Sequence, residues 1–160
     1  MNINTTYTKI ITGEDLMETA QHGSTLYPFQ FYYEDLSVFD FNCIEWHWHT
    51  ELEFIYIESG TVTLWIGEDQ FHLTEGNGIF INTKVLHRLY SPSKALIPNF
   101  VFMPSFIAPC DSLIYQKYIL PIISSSLPFL VFHKKVCWQA KVLSIMRQII
   151  SAQDSVLSKE

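Results

Sequence analysis

His47, Trp48, His49, Thr50, Glu51, Leu52 and Glu53 stand in a row, and Gly60 follows seven residues after the last of them. Histidines at i and i+2 of a strand point to one face, because strand side chains alternate. Glu53, four residues on, and His87, beyond the run Gly76-Asn77-Gly78, add a carboxylate and a third imidazole. Three imidazoles and one carboxylate suit a divalent ion of Zn, Ni, Mn or Fe. The same four groups would equally serve as the polar floor of a small-molecule pocket. Glu51 shares the parity of the histidines, but the chain is read as turning after His49, which leaves it out of the set. His22, His72 and His133 are read as surface or loop histidines. Nucleophilic catalysis has no support, since the chain has no Gly-x-Ser-x-Gly elbow, no Gly-rich phosphate loop and no Cys-x-x-Cys.

Bringing such groups together takes several strands. After Pro28, Phe29 to Tyr33 is an aromatic strand candidate, and Val38 to Trp48 reads as strand with a bend at Asp40 and Asn42. Leu52 to Glu58 and Thr61 to Ile66 predict a hairpin about a two-residue Ser59-Gly60 turn. One of its faces carries Glu53, Ile55, Ile57, Val62, Leu64 and Ile66. The other carries Phe54, Tyr56, Thr63 and Trp65, so both faces need cover. Shorter strands follow at Gln70 to Leu73, Gly78 to Ile81, His87 to Tyr90 and Asn99 to Met103, a spacing that argues for a barrel or sandwich. Phe31, Tyr33 and Leu64 join His47, His49, Glu53 and His87 as candidate pocket lining.

The character of the chain changes after Pro109. Asp111 is the expected N-cap of a two-turn helix ended by Pro121, and Leu127 to His133 reads as a further strand or an extended connector. From about Lys135 a long helix is predicted, with two apolar stripes. Trp138, Val142, Ile145, Ile149, Ala152 and Val156 form one and are the candidate dimer seam, while Leu143, Met146, Ile150 and Leu157 form the other. Residues 1–22 read as a polar arm laid over the body. The division expected is an arm and barrel over 1–108 and a helical dimerisation segment over 109–160 that leads into a linker.

The spacing of His47, His49, Glu53 and Gly60 resembles the first cupin motif at all four places. Gly76 and His87 fit the second, although Asn82 and Lys84 stand where proline and glycine are usual, Phe41 replaces an expected glycine, and Ser91 an expected asparagine. With His22 to Phe29 and Gly78 to Asn82, this partly altered pattern resembles the amino-terminal sensor domains of AraC/XylS-type transcription regulators. The resemblance implies a mainly β fold: a cupin (double-stranded β-helix) barrel followed by carboxy-terminal α-helices. It implies a small-molecule effector such as a sugar, a homodimer, and DNA contact only through a carboxy-terminal part outside this chain. It also implies no catalytic residues and no required cofactor, with a divalent metal on the four ligand candidates as an option. A stand-alone metal-dependent cupin enzyme (dioxygenase or isomerase) and a metabolite-binding cupin without regulatory role are the alternatives.

Composition narrows these choices. Hydrophobic residues make up 48% of the 160 and charged residues 16%, which predicts one packed domain and argues against disorder. Ten Lys and Arg against sixteen Asp and Glu leave a net charge of −6 and no basic face for DNA phosphates. Cys43, Cys110 and Cys137, odd in number and without metal-type spacing, read as reduced thiols. Neither a secretory leader nor a membrane-length apolar run is seen, so a cytoplasmic location and no membrane partner are expected.

Overall fold

The computed structural model describes residues 2–157, with side chains through Gln153. Among the described residues nine strands form two antiparallel sheets: β1 (Phe29–Asp35), β8 (Leu96–Phe102), β3 (Leu52–Tyr56), β6 (Gly78–Ile81) and β9 (Phe129–Phe132) in one, in that spatial order. The other runs β2 (Cys43–His47), β7 (His87–Tyr90), β4 (Thr61–Ile66) and β5 (Asp69–Thr74). Alternation sorts the side chains. Ile55, Ile57, Val62, Leu64, Ile66, Ile79, Ile81, Leu89 and Ile97 are buried together between the sheets. Each such aliphatic contributes roughly 1.5–3 kcal/mol by leaving water.

The expected Ser59-Gly60 hairpin does not form. β3 pairs with β6 and β8, while β4 pairs with β5 and β7, so the chain crosses from one sheet to the other at this turn. The inward parity survives, because a hairpin and a crossover of equal length turn the same residues inward. Gly60 has φ +87°, and a Cβ there would stand 2.7 Å from the Lys94 carbonyl and 2.9 Å from the Ala95 Cβ. Only glycine lets the backbones approach so closely.

The outer face of the five-stranded sheet is covered by a helix, α2 (Cys137–Leu157). Its Leu143, Met146 and Ile150 pack on Phe31, Tyr33, Leu52, Phe80, Phe100, Phe102 and Phe132. Phe31 and Tyr33 therefore belong to this helix-side core and not to the pocket. Of the proposed dimer stripe, Val142 and Ile149 are half-buried against the same cluster, whereas Trp138, Ile145 and Ala152 are exposed. Val156 lies outside the residues whose side chains are described.

The segment after 109 is not purely helical, since it supplies β9 to the sheet. Its first helical stretch is a π-helical piece, Tyr115–Ile119, continuing into α1 (Leu120–Ile123). Ser112, not Asp111, makes the capping bond, its Oγ accepting from the Tyr115 N–H at 3.1 Å. Pro121 does not end the helix, which runs on to Ile123 from the π-helical turn that precedes it. No helix among the described residues is long and apolar enough to cross a membrane.

Candidate functional site

Strand pairing builds the polar cluster. His47 at the end of β2 lies directly across from His87 at the start of β7, with a bulge between Ile44 and His47, and their ring centroids are 4.1 Å apart. His49 follows β2, its carbonyl accepting from the Lys84 N–H at 2.7 Å. Glu53 enters from β3 in the facing sheet, so the two layers supply the cluster jointly. One ligand atom from each of the three histidines lies within 4.8 Å of the others. Glu53 Oε2 accepts from His49 Nε2 at 3.2 Å and lies 3.2 Å from His87 Nε2 without hydrogen-bond alignment. All four residues are buried.

Ring orientation tests whether a metal fits. His47 Nδ1 donates to the Glu45 carbonyl and His87 Nδ1 to the Val85 carbonyl, both at 2.8 Å. A carbonyl only accepts, so these Nδ1 atoms carry the proton, and in the neutral rings each Nε2 keeps its lone pair. Backbone contacts of this kind orient metal-binding imidazoles. The lone pair of His87 Nε2 then faces a carboxylate oxygen, which is unfavourable unless a cation lies between them. Protonating Nε2 is one answer, and a shared metal ion is the other. Burial and the neighbouring His87 hold His47 well below the usual imidazole range, which keeps it neutral and able to ligate. Burial would also lower His49, but the Glu53 bond and the fields of Glu53, Glu18 and Glu51 outweigh it and raise its pKa. Burial pushes Glu53 up less than the His49 and His87 imidazoles pull it down, so it ends well below the usual carboxylate range. Three imidazoles and an ionised carboxylate fit Zn, Ni, Mn or Fe.

Above this floor lies a roof that sequence reasoning missed. The arm contributes Glu18 and His22, both buried, and His22 Nδ1 lies 2.9 Å from Tyr32 Oη while its Nε2 is 3.2 Å from Glu18 Oε2. His22 is thus no surface histidine: its ring meets that of His49 edge-on, with centroids 5.5 Å apart. His72 and His133 are exposed, as read. Glu34 is fully enclosed. Its Oε1 accepts from Thr5 Oγ1 at 3.3 Å and Tyr7 Oη at 3.2 Å, and its Oε2 accepts from Asn99 Nδ2 at 2.8 Å. Burial pushes the Glu34 carboxyl up to about 7, against the lowering effect of those bonds.

Tyr7, Glu18, His22, Tyr32, Glu34, His47, His49, Glu53 and Asn99 line one cavity of about 20 Å³, room for a water or two. Leu64 is buried in the apolar core below it, and His87 stands behind His47. Register explains why Tyr32 and Glu34 line the cavity while Phe31 and Tyr33 do not. In β1 the sequence Phe29-Gln30-Phe31-Tyr32-Tyr33-Glu34 alternates two sets, and the set bearing a carboxylate turns inward, paired across β8 with Asn99 and Ile97. A glutamate inside an aromatic strand was the available signal.

The departures from the motifs keep the motif's shape. Phe41 and Lys84, standing where glycines are usual, have φ +58° and +60°. Asn82, in the proline position, donates through Nδ2 to the Ile122 and Leu127 carbonyls at 2.9 and 3.0 Å.

Residues 43–97 match the Cupin domain family. An uncharacterized HTH-type transcriptional regulator, YdeC of Bacillus subtilis strain 168, is 24% identical over 143 residues, 87% of this chain and 48% of that protein. The chain thus spans about half the length of this curated relative. Among solved structures, the conserved SPY1581 protein of unknown function from Streptococcus pyogenes aligns with TM-score 0.44 at 19% identity, covering 48% of this chain and 66% of that one. Bacillus subtilis oxalate decarboxylase, described for its Mn(II) centers, aligns with TM-score 0.35 at 21% identity over 38% of this chain and 18% of that one. The matched stretch 43–97 runs from β2 into β8 and contains His47, His49, Glu53 and His87, so the likeness to the Cupin domain family covers the floor of the site, and the fold is the cupin fold.

Proposed function

We propose that this chain is the effector-sensing part of an AraC-type transcription regulator, binding a small polar metabolite between the His/Glu floor and the arm. The carrying observation is the relationship to an HTH-type regulator, which extends over 87% of this chain and therefore reaches well beyond the 43–97 cupin match. The acidic balance supports it, since a chain of net charge −6 suits a sensor whose DNA contact is made elsewhere in the protein. Effector binding must favour one arrangement of arm and barrel over another, because equal affinity for both would shift nothing. A metal on His47, His49, Glu53 and His87 would supply a Lewis-acidic anchor for a ligand oxygen. In this reading the site binds without turnover.

The same regulator acts as a homodimer through the exposed side of α2. Trp138 and Ile145 are each more than half exposed, an apolar pair on a helix that already buries its other face. Ile145→Glu should give a folded monomer by light scattering, and an unchanged mass would place the seam elsewhere.

The complete set of three imidazoles and a carboxylate favours a second reading, a metal-dependent cupin enzyme. Incubating the metal-loaded chain with a metabolite panel separates the two. A rise in melting temperature with the metabolite recovered unchanged supports sensing, and a new product by mass spectrometry establishes an enzyme. Specific operator binding by these 160 residues alone would overturn the division of labour.

A further inference from the structure

Glu34 and Asn99 lie at the arm side of the cavity and take no part in the His/Glu cluster. Oε1 of Glu34 accepts two hydroxyl groups, from Thr5 and Tyr7, while Asn99 fixes the other oxygen. Asn4 holds the same stretch of arm to the outer edge of β1, its side chain accepting from the Tyr33 N–H at 2.7 Å and donating to the Phe31 carbonyl at 3.1 Å. Under the arm there remain only about 20 Å³, so anything larger than water or two must displace arm residues to enter. Displacement would uncover a buried carboxylate whose acceptor positions already suit paired hydroxyls.

We propose that Glu34 and Asn99 form a second recognition site of the pocket, for the hydroxyls of a polyhydroxylated ligand, and that Thr5 and Tyr7 occupy it as an internal competitor. The proposal rests on the small-molecule-sensing reading and gives it a ligand class. The arm and the ligand exclude one another at Glu34, so binding frees residues 2–9 for contacts outside the barrel. Two hydroxyls on one oxygen select vicinal or 1,3-related hydroxyls over isolated ones.

The test uses the whole chain as wild type, as T5V/Y7F and as E34Q. Arm release is read as trypsin cleavage after Lys9, an exposed residue of the arm, and ligand binding by calorimetric titration with glycerol, xylitol and D-glucose. T5V/Y7F should be cleaved roughly 5-fold faster, as the open arm becomes more populated. It should also bind at least one of the polyols about 10-fold more tightly than wild type, because the cost of displacing the arm is removed. E34Q should also be cleaved faster, yet lose polyol binding. Cleavage of T5V/Y7F at the wild-type rate overturns the competition, and E34Q binding as well as T5V/Y7F overturns the recognition site. No polyol binding by T5V/Y7F, or a preference for putrescine over xylitol, overturns the ligand class. A non-hydroxylated metabolite that still raises the melting temperature, and ceases to in His49→Ala, would leave the sensing reading standing while this inference fails.

Discussion

The floor and the roof of the cavity are both polar and both buried, yet they are made in different ways. The floor is held by β2, β3 and β7, whose backbones are paired on both sides or braced by a neighbouring strand, and its four side chains answer one another. The roof is held by an arm joined to the body through isolated bridges and scattered bonds, Met17 to Trp48 and Thr8 to Asp40 among them. Its side chains mostly meet the barrel, Tyr7 at Glu34 and His22 at Tyr32, while Glu18 and His22 meet one another. A site built this way has one half fixed by strand pairing, which carries the candidate ligands, and another held only by scattered bonds.

The largest expected contrast between the halves is in pH dependence. Glu34 titrates near 7 in the folded chain against 4.5 for an ordinary glutamate. Between those values the folded chain keeps a proton that the unfolded chain has released. Its contribution is fully present below about 4.5 and is lost as pH rises through 7, on the order of 3 kcal/mol. Glu53 works the other way: its lowered pKa gives stability present above the usual carboxylate range and lost as pH falls through its folded value. Glu34→Gln should flatten the decline between pH 4.5 and 7 in denaturant titrations, leaving the acid limb intact. An unchanged decline would overturn the Glu34 assignment, because His49, whose pKa is raised from 6.5, loses its contribution only above that pH.

Next in size is metal uptake. Glu53→Gln should weaken binding of Zn²⁺ by about 100-fold in competition with a chelator, the upper end of what loss of even an outer-shell partner of a metal ligand costs. T5V/Y7F should leave it within a factor of about two, because neither arm residue belongs to the set of candidate ligands or hydrogen-bonds to one. Equal losses in both would erase the distinction between the halves. Asn82→Ala, which leaves the Ile122 and Leu127 carbonyls without their donor, should cost about 2 kcal/mol in urea unfolding. The smallest effect sharpens the floor's frame. Phe41 is 90% exposed and held at φ +58°, so Phe41→Gly should gain roughly 0.5–1 kcal/mol. A loss would show that the Phe41 ring makes contacts that outweigh its backbone strain.

The sequence made the floor readable because its spacing is short and repeats with the strand period: His47 and His49 differ by two, and Glu53 lies on an inward parity that a wrong pairing partner does not alter. That insensitivity is why an incorrect hairpin still placed Glu53 and Leu64 inside. Roof residues gave no such regularity. Thr5, Tyr7, Glu18 and His22 sit in a stretch without period, and the barrel groups they meet are 10 to 30 residues away. In β1 both parities carry aromatics, so alternation alone could not say whether Tyr33 or Tyr32 faced inward; the buried Glu34–Asn99 bond decides it. The double stripe on α2 was legible as amphipathic, but which stripe meets the barrel depends on where β9 delivers the chain.

The crossover at Ser59-Gly60 has a consequence for how quickly the site comes into being. Because β3 and β4 do not zip together as neighbours, β3 must wait for β6 and β8, and β1 for β8, where Phe29 meets Phe102. Closing such long loops precedes any gain from the contacts, which puts this chain among slow folders. His47, His49, Glu53 and His87 converge only after those closures, so a metal ion finds no complete coordination set in the nascent chain. Capture of a metal there would be a late event, and its effect would fall on the rate at which the finished barrel reopens rather than on the rate at which it forms.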